Sequence, residues 1–296
     1  MKALFTGVVT ALLLTIHTVL FFIPILLLAL IRLLMPHRSA RRLLTQALTK
    51  VAETWAEGFK CIIHLCTPVT WDIRGQQQLS KQHSYLVISN HQSWVDIPAL
   101  IEAFNNRTPY FKFFLKKELI WIPFLGFAFW ALDYPFMSRH SKQKLKKHPH
   151  LKGQDLEVTK AACAKFKGTP VTVVNYVEGT RFTPAKHAAQ NSPYQHLLRP
   201  KTGSLAFTLG ALGEQFDTLL DVTVYYPHGV PTFWQFMSGQ VKRVVVVVNS
   251  FPLEPALWQG DYQNDPAFRK TIQRWVIERW QAKDALLKEL ASTQQP

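Results

Sequence analysis

The sequence predicts an α/β fold, a largely parallel sheet covered by helices, behind an amino-terminal membrane segment. Three observations carry this. Residues 3–31 contain no charged side chain. Downstream, short apolar runs alternate with stretches of helical period, as in parallel sheets with crossover helices. The most polar turn motifs directly follow two of those runs, where such sheets place their sites.

Composition limits the alternatives. Of 296 residues, 48% are hydrophobic and 18% charged, too apolar for a disordered charged tail. Three cysteines, Cys61, Cys66 and Cys163, are too few for a disulfide scaffold and suit a reducing compartment. The net charge of +15 calls for a negative partner: nucleic acid, anionic lipid or a phosphorylated substrate.

Residues 1–35 read as a membrane anchor. As a helix, the uncharged run reaches about 43 Å, beyond the ~30 Å hydrocarbon core. It therefore tilts, kinks at Pro24, or forms two re-entrant half-helices about Pro24. A signal peptide has a shorter apolar region, ~7–15 residues. Thr6, Thr10, Thr15 and Thr18 bond within the helix, and His17 is packed. Arg32, Arg38, Arg41, Arg42 and Lys50 follow before the first acid, Glu53. The positive-inside rule then places the rest in the cytoplasm, with the basic cluster against anionic headgroups.

Residues 36–68 form an amphipathic helix, with Leu43, Leu44, Ala47, Leu48, Val51, Trp55 and Phe59 at helical spacing. Interfacial and core-facing placements are both open. Cys61 and Cys66 pack within it. Residues 69–296 form one domain. Strands are expected at 69–74, 84–89, 111–115, 171–177, 219–225 and 241–249. Helices are expected at 93–104, 116–132, 154–167, 202–213 and 264–290. The stretch 140–153, with five Lys and no acid, reads as a solvated loop that can extend a phosphate-facing surface. In the last helix, Trp275 and Trp280 pack on the domain or face the membrane.

Four motifs carry chemistry. The first is Asn90-His91-Gln92-Ser93-Trp94-Val95-Asp96, directly after an apolar run. On one continuous helix His91 and Asp96 would stand about 140° apart. They meet only if the chain turns into the helix between them. Asp96 would then fix one imidazole nitrogen and leave the other as a base toward a hydroxyl. The second is Glu178-Gly179-Thr180-Arg181, where Gly179 allows positive φ and Arg181 presents a phosphate-matching fork. Glu178 could hold that fork or a substrate hydroxyl. The third is Phe136-Met137-Ser138-Arg139, preceded by Lys116-Lys117-Glu118-Leu119 and Ile122-Pro123-x-x-Gly126. The fourth is Lys201-Thr202-Gly203 at a helix start, a candidate anion site.

In this order, H-x4-D, K-K-E-L-x-x-I-P-x-x-G, F-x-x-R, E-G-T-R and K-x-G resemble the PlsC-type glycerolipid acyltransferases, the 1-acylglycerol-3-phosphate acyltransferases. The resemblance runs over about residues 60–228. It implies a glycerolipid acyltransferase-like fold, with His91 as general base and Asp96 as its orienting partner. It implies that Arg139 and Arg181 bind the acceptor phosphate, with Lys116 or Lys117. Glu178, Gly179 and Thr180 would shape the acceptor site, and Lys201 and Gly203 fall on a further block. Val224-Tyr225-Tyr226-Pro227 fits the last block loosely, because its Tyr pair replaces small aliphatic residues.

The implied reaction moves a fatty acyl group from acyl-CoA or acyl carrier protein to the hydroxyl of lysophosphatidic acid or a related lysophospholipid. Membrane phospholipids would be partners, without nucleic acid. No metal or other cofactor is expected. Ser93 is an alternative nucleophile, without a G-x-S-x-G elbow around it. His148, His150, His187 and His196 read as loop histidines. A second reading is a membrane-anchored, non-catalytic module that binds lipid or nucleic acid.

Overall fold

The computed structural model describes residues 1–137 and 154–293. The chain opens with two long helices, α1 (Lys2–Leu34) and α2 (Arg38–Cys66). The α/β part follows: β1 (Thr70–Arg74), β2 (Tyr85–Ser89), α3 (Asp96–Phe104), β3 (Phe111–Phe113), β4 (Leu115–Lys116), α4 (Leu125–Ala131) and β5 (Phe136–Met137). It continues with α5 (Gln154–Cys163), β6 (Thr172–Tyr176), α6 (Pro184–Ala189), α7 (Thr202–Leu212), β7 (Thr218–Tyr225), α8 (Phe233–Met237), β8 (Arg243–Pro252) and α9 (Pro266–Ser292).

Six strands form one sheet in the order β1-β8-β7-β2-β6-β3, and β4 pairs with β5 separately. Within the large sheet only the β7–β8 pair is antiparallel. Central β2 is buried along its whole length, as expected for a parallel strand covered on both faces. Its side chains alternate. Tyr85 and Val87 enter a core with α2 and α3, while Leu86 and Ile88 enter a second core with α7 and α9. Strands β2, β6 and β7 run parallel, so the residues that follow them leave the sheet at one edge.

All six expected strands form within a few residues of their expected bounds. The helix expected at 116–132 is broken. A 3-10 turn covers Lys117–Trp121, Ile122 is extended, and α4 starts after Phe124 at φ +62°. Pro123 explains the break, because the residue before a proline is pushed out of helical geometry. Two short helices are additional to those expected. Thr183 caps α6 ahead of Pro184, and a Thr232–Gln235 capping box starts α8.

Helix α1 runs unbroken through Pro24, so the two half-helices do not form. Thr10 and Thr15 donate to carbonyls one turn back. The helix packs along α2, where His17 Nε2 lies 2.9 Å from the Trp55 carbonyl. Gly58 leaves room for that imidazole, since a Cβ there would sit 2.3 Å from His17 Cε1. At one end Gly7 abuts the Trp234 ring of α8. At the other, Arg32 pairs with Asp133 at 2.8 Å and donates to Thr45. Arg32 is thus spent inside the protein instead of facing headgroups.

Helix α2 takes the core-facing alternative, with Leu48, Ala52, Ala56, Phe59 and Ile63 buried. Asn105 beyond α3 donates to the Glu53 carbonyl, which ties α2 to the domain. Cys61, expected to pack, is exposed. Only 17% of the most apolar window of α1 is buried, although this helix is long and apolar enough to cross a membrane. The helix of a soluble core would be mostly covered. The outer face of α1, including Leu4, Phe5, Leu12, Leu20 and Leu27, is exposed.

Candidate active site

The site forms at the edge where β2, β6 and β7 end together. His91 stands two residues past β2, Glu178 two past β6, and Tyr226 one past β7. The chain turns through Asn90–Val95 before α3 begins at Asp96, as the motif requires. His91 Nδ1 lies 2.7 Å from Asp96 Oδ2. The same oxygen accepts the backbone N–H groups of Gln92 at 2.7 Å and Ser93 at 3.0 Å. The Tyr226 hydroxyl donates to Asp96 Oδ1 at 2.5 Å. Asp96 is fully buried, and its carboxylate has a donor on each oxygen. With the proton on Nδ1 and donated to Asp96, Nε2 carries the free lone pair, and it makes no hydrogen bond among the described residues.

The imidazole is also held from behind. It stacks on Tyr176 with centroids 4.0 Å apart and planes 16° from parallel, and Tyr176 stacks on Phe113. Asn90 clamps the backbone of Val224 in both directions, at 2.8 and 2.9 Å, which locks the His91 turn to the end of β7. The Phe182 N–H donates to the His91 carbonyl.

Glu178 has a different role from the one expected. It is fully buried, and backbone donors take both its oxygens: His91 N on Oε1 at 2.9 Å and Leu198 N on Oε2 at 3.0 Å. It therefore fixes the backbones of His91 and Leu198 instead of the Arg181 fork. Burial pushes its carboxyl up to about 7, against the pull of the two N–H donors. Helix α9 completes the support. Asp284 accepts the N–H groups of Gln195 and His196, and Trp280 Nε1 donates to the Leu198 carbonyl. Trp280 is thus a core residue, which excludes a membrane-facing role for it.

The other residues of the motifs make fewer contacts. Arg181 lies over the Trp94 ring, its Cζ 4.5 Å from the centroid, and makes no ion pair among the described residues. Gly179 adopts φ +68° to make the turn after β6. Thr180 accepts a hydrogen bond from Lys186 Nζ at 2.8 Å. Sequence reasoning does not single out Lys186; its only signal is a lysine five residues past the arginine of the motif. Lys116 and Lys117 are exposed at the end of β4 and make no ion pair among the described residues. Lys201 caps α7 with its side chain exposed, while its N–H donates to the Val177 carbonyl. A Cβ on Gly203 would meet nothing within 4 Å.

Arg139, the 140–153 stretch, His148 and His150 lie outside the described residues. Ser93 Oγ is buried and donates to the Pro231 carbonyl, so it is tied into the turn and is no nucleophile. His187 Nε2 is occupied by the Tyr194 carbonyl. The Tyr226 contact is a further feature that sequence reasoning misses. Its signal is the Tyr pair that departs from the expected aliphatic block.

The fold places a histidine oriented by a buried carboxylate, with its Nε2 unbonded among the described residues, at the edge of a mostly parallel sheet. The model of the Acyltransferase family matches residues 71–227, and the chain belongs to that family. It is 22% identical over 237 residues to 1-acyl-sn-glycerol-3-phosphate acyltransferase epsilon of Mus musculus, covering 73% of this chain and 60% of that protein. It is 25% identical to lysocardiolipin acyltransferase 1 of Mus musculus, covering 69% of this chain and 53% of that protein. The chain thus spans little more than half the length of these relatives. The crystal structure of the 1-acyl-sn-glycerophosphate acyltransferase PlsC from Thermotoga maritima shares the fold, with TM-score 0.52 and 18% identity over 94% of this chain and 97% of that one.

Proposed function

We propose that the protein transfers a fatty acyl group from a thioester donor, acyl-CoA or acyl carrier protein, to the free hydroxyl of lysophosphatidic acid or a related lysophospholipid. The observation that carries this is the His91 Nδ1–Asp96 contact, which leaves Nε2 free. Nε2 takes the hydroxyl proton as the oxygen attacks the thioester carbonyl. The tetrahedral intermediate collapses, the carbon–sulfur bond breaks, and the imidazolium returns the proton to the thiolate. The products are the diacyl phospholipid and the free thiol. Such a base contributes roughly 10²–10⁴-fold.

Arg181 binds the acceptor phosphate. It has a charge to offer because no acid neutralises it among the described residues, and Trp94 holds its plane. Lys116, Lys117, Lys201 and Arg139 supply further positive charge. Gly203 contributes to the acceptor site through the open space beside it. The protein sits at the bacterial inner membrane with the α/β domain on the cytoplasmic side. Both ends of α1 rest on that domain, so the helix inserts along its exposed outer face.

The test is thiol release by the purified full chain in mixed micelles, with lysophosphatidate and either long-chain acyl-CoA or acyl-acyl carrier protein. Release that requires the acceptor supports the reading. No release with either donor, across lysophospholipid acceptors, contradicts it.

A further inference from the structure

We propose that Tyr226 is a positioning residue for the base: its hydroxyl sets the Asp96 carboxylate so that Oδ2 meets Nδ1 of His91. This inference rests on the acyl-transfer reading only for its rate readout.

The two oxygens of the buried carboxylate are held unequally. Oδ2 has three donors, His91 Nδ1 and the N–H groups of Gln92 and Ser93. Oδ1 has one, the Tyr226 hydroxyl at 2.5 Å. Asp96 is fully buried and Tyr226 is 4% exposed. Removing the hydroxyl would leave Oδ1 without a donor among the described residues in a buried site, which is costly. The carboxylate could regain partners only by rotating or taking a proton. Either change loosens its hold on the imidazole and frees the tautomer.

The tyrosine can set this geometry because its own position is fixed. It directly follows β7, and two residues earlier Val224 is clamped by Asn90, the neighbour of His91. Base, orienting acid and tyrosine are thus tied through two routes, one through the Asp96 carboxylate and one through the Asn90 amide on the Val224 backbone. Around them, the titratable groups are Tyr176, stacked on the imidazole, and Glu178 on the His91 N–H. Behind β7, Lys283 pairs with Asp221. Among these groups, Tyr226 and His91 are the side chains that bond to the Asp96 carboxylate.

The experiment uses Tyr226→Phe in the full chain in lipid bicelles, which removes one buried oxygen and keeps the ring. Two readouts are taken: the imidazole tautomer of His91 by 15N NMR without substrate, and kcat and KM for thiol release. In the native protein the expected tautomer carries its proton on Nδ1. In the variant we expect mixed tautomers and a kcat lower by about tenfold, with both KM values within about twofold. A second variant, with 3-fluorotyrosine at position 226, keeps the hydroxyl and should retain the native tautomer and rate. A single native tautomer in Tyr226→Phe would overturn the proposal, whatever the rate. Loss of both tautomer and rate in the fluorotyrosine variant would also overturn it. If no thiol is released by the native protein, the acyl-transfer reading falls while the NMR result still decides the role of Tyr226.

Discussion

The two sides of His91 are built differently. Behind the imidazole, Asp96, Glu178 and Asn90 are committed to internal hydrogen bonds, while the buried Tyr176 hydroxyl has no partner among the described residues. Asp96 takes four donors, Glu178 takes two, and Asn90 bridges to β7. By contrast Arg181, over the Trp94 ring, and the exposed Lys116, Lys117 and Lys201 make no ion pairs among the described residues. The difference separates two kinds of work. A base needs one geometry, and buried hydrogen bonds hold it at little cost once all are satisfied. An anion site needs unspent charge, which a prior salt bridge would consume.

The rear side should suffer most from a change at Glu178. Glu178→Ala orphans the N–H groups of His91 and Leu198, each worth ~1–3 kcal/mol when buried without a partner. We expect a markedly lower melting temperature and, in the folded fraction, roughly 10²-fold lower kcat. Native-like kcat would mean that the rear network does not serve the base. At Arg181 the effect should be smaller and different in kind. Arg181→Ala should raise the acceptor KM by about tenfold and leave kcat and stability near native, as one charge-assisted contact is lost. An equal loss with an acceptor lacking phosphate would reassign Arg181 to structure.

A third effect is a pH dependence of stability. Burial raises the Glu178 carboxyl from 4.5 to about 7, so the folded state holds this proton more tightly than the unfolded state does. Its contribution is full below about pH 4.5 and is lost as pH rises through about 7. Melting temperature should fall over that window in the native protein and less steeply in Glu178→Gln. An identical slope in both would place the titration elsewhere.

Much of this is legible in the chain. The central strand declares itself because a strand buried on both faces reads as an unbroken apolar run, as in Tyr85–Ile88. The His91–Asp96 contact follows from the need for a turn between them. What stays hidden depends on distance in sequence. Tyr226 meets Asp96 across 130 residues, and Leu198 meets Glu178 across 20. Spacing rules describe one helix or strand and cannot show which loops a sheet edge gathers. Arg32 illustrates the same point, since it reads as a headgroup contact and is neutralised by Asp133, 101 residues away.

Everything in the proposed chemistry depends on Asp96 making His91 a base by fixing its tautomer. The steady-state rate of Asp96→Asn probes this step, because the substitution keeps the size of the side chain and removes its charge. We expect a kcat lower by at least about 10²-fold, with acceptor KM within about threefold of native and an unchanged fold by circular dichroism. A folded Asp96→Asn protein that turns over at the native rate would contradict this role for the pair.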